Sequence, residues 1–143
     1  MTQVKREALV MYSAKQMYDI VNDVNAYSTF LPNCQSSTIL EQSDGLLVGQ
    51  LKLGKGALNI TFTTKNILSP FESIKLSLHD GPFKNLNGVW YFESLNDTAC
   101  KIRFELSFQA NALFQIAAKT LLTQMADQMV QSFVKRAEQI YSN

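Results

Sequence analysis

Cysteine and histidine are scarce in this chain, and their scarcity removes most metal and redox chemistry. Cys34 and Cys100 lie far apart, with neither a CxxC spacing nor histidines nearby, so a zinc site and a dithiol pair both lack their parts. Both cysteines read as reduced thiols, Cys100 on the apolar face of a strand and Cys34 in the loop after Pro32, within reach of solvent. His79 is the only histidine, and it alternates onto the polar side of its segment, where it faces water rather than acting as a general base. No Gly-rich phosphate loop is present. No stretch approaches the ~18 apolar residues that span a bilayer. The opening Met1-Thr2-Gln3-Val4-Lys5-Arg6-Glu7 sets charges where a signal peptide needs its apolar segment, so the expected location is the cytoplasm.

A strong charge of one sign is missing too. The formal net charge is +1, without the basic excess that nucleic-acid binders commonly show, and DNA is not an expected partner. The spread is uneven: between residues 46 and 103, Lys52, Lys55, Lys65, Lys75, Lys84, Lys101 and Arg103 face Glu72, Asp80, Glu93 and Asp97. Solvated strand faces account for such an excess, and a weak cationic patch is the alternative.

What remains is pattern. At 143 residues, 46% of them hydrophobic and without internal repeats, residues 1–143 fit one domain able to bury a core unaided. Residues 3 to 11 alternate as a first strand. Ser13-Ala14-Lys15-Gln16 then fits a capping box, and Met17, Ile20, Val21 and Val24 give the helix that follows a buried side. Tyr27 to Leu31 form a second short helix, ended by Pro32. Strands follow at 37–42, 46–53, from Leu58 through Phe62, at 74–78, 87–95 and 100–109. Turns at Ser43-Asp44-Gly45, Lys55-Gly56, Ser69-Pro70, Gly81-Pro82 and Asn96-Asp97 join them into an antiparallel meander. Ala112 to Tyr141 contains no Gly or Pro and reads as one helix of about 45 Å at 1.5 Å per residue. Its apolar stripe is Phe114, Ala118, Leu122, Met125, Met129, Phe133, Ala137 and Ile140. Gln115, Lys119, Thr123, Asp127, Gln131, Lys135 and Glu138 lie opposite. The expected fold is α+β, a helix-grip: a curved antiparallel sheet of about seven strands wrapped on the long C-terminal helix, with two short helices after strand 1.

Several blocks resemble one family. They are Val21-Asn22-Asp23-Val24, Tyr27 to Cys34, Phe62-Thr63-Thr64-Lys65-Asn66 and Asp80-Gly81-Pro82-Phe83-Lys84. Leu86, Gly88, Trp90 and Phe92 follow, and Met129-Val130, Phe133, Arg136-Ala137 and Tyr141 stand near the end. In this order the chain resembles the coenzyme Q-binding, polyketide cyclase-like family of the START-like superfamily, and most of all its ribosome association toxin branch. Ser28 and Asn33 depart from that pattern, where relatives often carry Pro and Trp.

The resemblance implies a non-enzymatic protein with an apolar cavity for ubiquinone or a similar isoprenoid lipid, no obligatory cofactor, and a role supporting respiration. It also implies binding to the large ribosomal subunit that blocks subunit association. A polyketide cyclase or aromatase is the alternative, and would need polar groups inside a cavity whose assignable inward faces are nearly all apolar. The expected cavity lining is Phe62, Leu78, Phe83, Trp90, Phe92, Phe104, Leu106, Met125, Met129 and Phe133. The expected partner surface is Lys65, Lys84 and Lys101. Each has a plainer explanation: Gly81-Pro82 makes a turn, the aromatics fill a core, and Arg136 faces the negative pole of its helix.

Overall fold

A computed structural model describes residues 1–141. Strand β1 (Thr2–Val10) leads into helix α1 (Ala14–Asn22), a 3₁₀ turn at Val24–Ala26 and the short helix α2 (Tyr27–Phe30). Strands β2 (Cys34–Ser43), β3 (Leu46–Lys55), β4 (Leu58–Ser69), β5 (Ser73–Asp80), β6 (Asn85–Asn96) and β7 (Ala99–Gln109) follow, and α3 (Ala112–Tyr141) closes the chain. The strands pair antiparallel in the order β1-β7-β6-β5-β4-β3-β2. The helix-grip arrangement therefore holds, and α3 starts and stops where the sequence pattern placed it. The first strand begins and ends one residue earlier than expected, and β2 and β4 run longer.

Local chemistry explains the boundaries. Gln16 N–H donates to Ser13 Oγ at 3.1 Å, and Ser13 N–H donates to Gln16 Oε1 at 2.9 Å, so the capping box is complete. Helix α2 stops because Leu31, preceding Pro32, is extended. Asn111 Oδ1 accepts from Phe114 N–H at 3.0 Å and starts α3. Gly81 adopts φ +149°, and a Cβ there would lie 2.8 Å from the Cβ of Phe62, so this turn accepts only glycine.

Irregular pairing in β2, at the β4–β5 ladder and in β6 bends the sheet, and its concave face receives α3. Side-chain bonds fix the helix along its length. Gln115 Nε2 donates to Thr2 Oγ1 at 2.8 Å, Lys55 Nζ to Gln124 Oε1 at 3.0 Å, Arg6 Nε to Asp127 Oδ1 at 2.8 Å, and Tyr141 Oη to Gln16 O at 3.2 Å.

Four expectations change. Ile140 is 44% exposed, because the helical stripe continues past the edge of the surface it covers. Leu121, Ala126 and Val130 are buried instead, widening the inner face of α3. Cys34 belongs to β2 and is buried, and burial pushes its thiol up to about 11. Arg136 lies over the Phe30 ring at 5.3 Å, more than a turn from the end of α3, so an aromatic face holds it rather than the helix dipole.

Candidate functional site: the hollow beneath helix 3

The interior is not evenly filled. Near the C-terminal end of α3, Phe133 packs against Tyr27, Phe30 and Trp90 with ring centroids 5.3, 5.7 and 5.3 Å away. Near its N-terminal end, Phe83 meets Phe62, Phe108 and Phe114 at 5.8, 6.1 and 5.7 Å. Between these two aromatic groups lies a hollow. Leu122, Met125 and Met129 of α3 border it, with Val21, Val24 and Tyr27 beside them. Gly49 and Leu51 come from β3, Phe62, Thr64 and Asn66 from β4, and Ile74 and Leu76 from β5. Leu86 and Trp90 of β6 and Phe104 and Leu106 of β7 complete the wall.

Together with the open solvent before its mouth, the hollow spans about 650 Å³ of space free of atoms. The centres of water-sized spheres have only about 60 Å³ in which to move, and this smaller figure decides what fits. One water needs ~10–15 Å³ by that measure, so the space exceeds an ordinary packing defect but holds a few waters rather than a whole lipid.

Six expected residues border the hollow: Phe62, Trp90, Phe104, Leu106, Met125 and Met129. Four do not. Phe133 and Phe83 are absorbed by the aromatic groups at either end. Phe92 packs edge-on to Tyr18 at 5.5 Å. Leu78 shares the face of Leu76, the two pairing with Thr64 and Asn66, but it packs toward the turn, where its Cδ1 lies 3.5 Å from the position a Cβ on Gly81 would take; His79, between the Thr64–Leu78 and Thr63–Asp80 pairs, is an extra residue. His79 itself is exposed.

Thr64 and Asn66 were not expected. The alternation that turns Ile60 and Phe62 inward continues through β4, and sends these two polar side chains into the hollow. Asn66 is 5% exposed, and Thr64 Oγ1 donates to its Oδ1 at 2.8 Å. The nearly all-apolar interior is corrected accordingly. No Asp, Glu, Lys, Arg, His or Cys borders the hollow. Tyr27, its only ionisable neighbour, donates its hydroxyl to Val21 O, and burial pushes its phenol far above the usual range. The arrangement can hold an apolar body and offer hydrogen bonds; it has no group poised to move a proton near neutral pH. Among the described residues, no cluster of His, Cys, Asp and Glu side chains could hold a metal ion.

The three lysines do not converge. Lys84 follows Phe83 and donates its backbone N–H to Gln109 O at 2.8 Å, at one end of β7. Lys101 lies toward the other end, with its Nζ 3.6 Å from Glu7 Oε2. Lys65 shares a row with Ser77, Asn87 and Ser107, and Ser107 is six residues from Lys101, roughly 20 Å along the strand. Lys65 and Lys84 are exposed and Lys101 is half-buried. Exposed apolar surface occurs instead at the start of α3, where Leu113 is 97% and Ile116 77% exposed.

Comparison with known proteins places this geometry. A family model described as polyketide cyclase / dehydrase and lipid transport matches residues 10–134. The ribosome association toxin RatA of Pseudomonas aeruginosa is 44% identical over 141 residues, covering 98% of each chain. The mitochondrial coenzyme Q-binding protein COQ10 homolog B of Xenopus laevis is 30% identical, covering 91% of this chain and 55% of its own length. A START superfamily protein from Mycobacterium smegmatis superimposes with a TM-score of 0.81 at 18% identity, over 96% of this chain and 98% of that one, a likeness of fold alone. The chain belongs to the polyketide cyclase / dehydrase and lipid transport family and, within it, to the relatives of RatA.

Proposed function

We propose that this protein binds ubiquinone or a similar isoprenoid lipid in the hollow beneath α3, and that it acts in the cytoplasm on the large ribosomal subunit, opposing its association with the small one. The observation that carries the first half is a hollow walled by apolar side chains with no acid–base pair in it. Such a slot suits a tail that gains ~0.8 kcal/mol per buried CH₂. The present space is too small for the whole molecule, so entry requires the roof to yield. Met125 and Met129, unbranched and flexible, are suited to that. The similarity to a coenzyme Q-binding protein supports this ligand class, and the higher similarity to RatA supports the ribosomal half. Thr64 and Asn66 are the polar groups a cyclase would require inside. Neither is an acid or base near neutral pH, which favours a binder over an enzyme.

The test uses the intact chain. Protein purified from a quinone-producing bacterium and extracted with organic solvent is expected to release an isoprenoid quinone near one equivalent. Added to separated ribosomal subunits, it is expected to sediment with the large one and reduce the associated peak. Absence of lipid from the extract, with no uptake from added quinone, removes the first half. An unchanged subunit profile removes the second.

A further inference from the structure

We propose that Asn66, oriented by Thr64, is a head-group site in the hollow that selects neutral ligands ending in a carbonyl oxygen, the oxidised quinone before its quinol or a plain hydrocarbon. This rests on the hollow being the ligand site.

One side chain on the wall of the hollow has an unfinished set of hydrogen bonds. Asn66 is almost fully buried and borders the hollow. Its Oδ1 accepts from Thr64 Oγ1, which orients the amide, and among the described residues no acceptor takes the Nδ2 hydrogens. Nδ2 is not sealed in protein, so whatever fills the hollow, water or a ligand atom, meets this donor. Gly49 pairs with Thr64 across β3 and β4, and the side chains of Val24 and Leu47 close over it, 3.3 Å from where a Cβ would stand.

Ligand chemistry follows from what is offered. The hollow presents an N–H donor and no charge, so a carboxylate or ammonium would be buried without a counter-ion and is rejected. A carbonyl oxygen accepts from Nδ2 and needs nothing further. A hydroxyl must also place its own proton, and at Asn66 Oδ1 it would share the acceptor with Thr64. Carbonyl is therefore preferred to hydroxyl, and either to hydrocarbon.

The experiment compares decyl-ubiquinone, its chemically reduced quinol and decylbenzene by calorimetric titration of the full chain. Wild type is expected to bind the quinone about tenfold more tightly than decylbenzene, with the quinol between them. Asn66→Leu, close in volume but without a donor, is expected to abolish that order and leave decylbenzene within twofold. Thr64→Val, which frees Oδ1 to accept, is expected to bring the quinol level with the quinone, and it tests the proposal should the leucine variant fail to fold. Equal binding of quinone and decylbenzene by wild type, or an order that survives both substitutions, overturns the head-group site while leaving the container reading intact. Binding of none of the three overturns both.

Discussion

Two stretches of α3 face the same sheet and do opposite things. Around Phe133 the helix is wedged: the ring is fully buried among Tyr27, Phe30 and Trp90, and its rigid faces leave no slack. Around Met125 and Met129 the helix is a roof over unfilled space, and its side chains can rearrange without tearing a packed contact. One end of the helix is an anchor and the middle is adjustable. The fold can thus hold α3 in place while admitting something beneath it.

The largest expected effect is at the anchor. Phe133→Ala should cost ~3–5 kcal/mol, read from the midpoint of urea unfolding, whereas Met125→Ala should fall near ~2 kcal/mol, because a hollow already borders it. The reverse order would mean that the roof, not the aromatic wedge, holds the helix.

The anchor is also dry, which predicts a pH dependence. Burial raises the Cys34 thiol to about 11, and the Cys100 thiol between β1 and β6 to about 11 as well. Unfolded thiols ionise near 8.5, so between about pH 8.5 and 11 the unfolded chain releases protons that the folded chain keeps. Stability should be level below that window and fall through it as pH rises. Cys34→Ala combined with Cys100→Ala should flatten the fall in urea titrations run at successive pH values. A thiol reagent should modify the native protein slowly at pH 8, and rapid labelling of Cys34 would show that this end is wet.

Smaller effects sharpen the contrast. Ser13→Ala removes the cap of α1, the helix whose Tyr18 packs on Phe92, and should cost about 1 kcal/mol by thermal unfolding. Arg6→Ala releases Asp127, which sits between the two methionines on the outer side of α3. That pair is solvent-exposed, so the loss should stay below ~1 kcal/mol. A larger loss would show the roof to be pinned from outside.

The sequence makes the frame of this molecule legible and the inner surface less so. Helix α3 is readable because no Gly or Pro interrupts it and its apolar residues recur at helical spacing; the Asn111 cap appears only in the structure. Cys100 to Phe108 is readable because one face is apolar at every second position. Thr64 and Asn66 were within reach of the same rule: alternation carried past Phe62 turns them inward, but polar residues hide a strand's inner face. Leu78 was out of reach, since alternation gives it the same face as Leu76 and does not say which of the two borders the hollow. Periodicity also says that Phe92 and Phe133 point inward, but not whether they border the hollow or fill its ends. That is decided by ring-to-ring packing between elements far apart in the chain.

The central claim is that the space under Met125 and Met129 receives a ligand, and Trp90 reports on it directly. It is the only tryptophan, it is 3% exposed, it borders the hollow, and it stacks on Phe104 with centroids 4.4 Å apart. A short-chain ubiquinone seated there should quench its fluorescence along a saturating curve, with one quinone per chain at the plateau. Quenching that rises linearly with quinone, without a plateau and no steeper than for free tryptophan amide, would contradict the account.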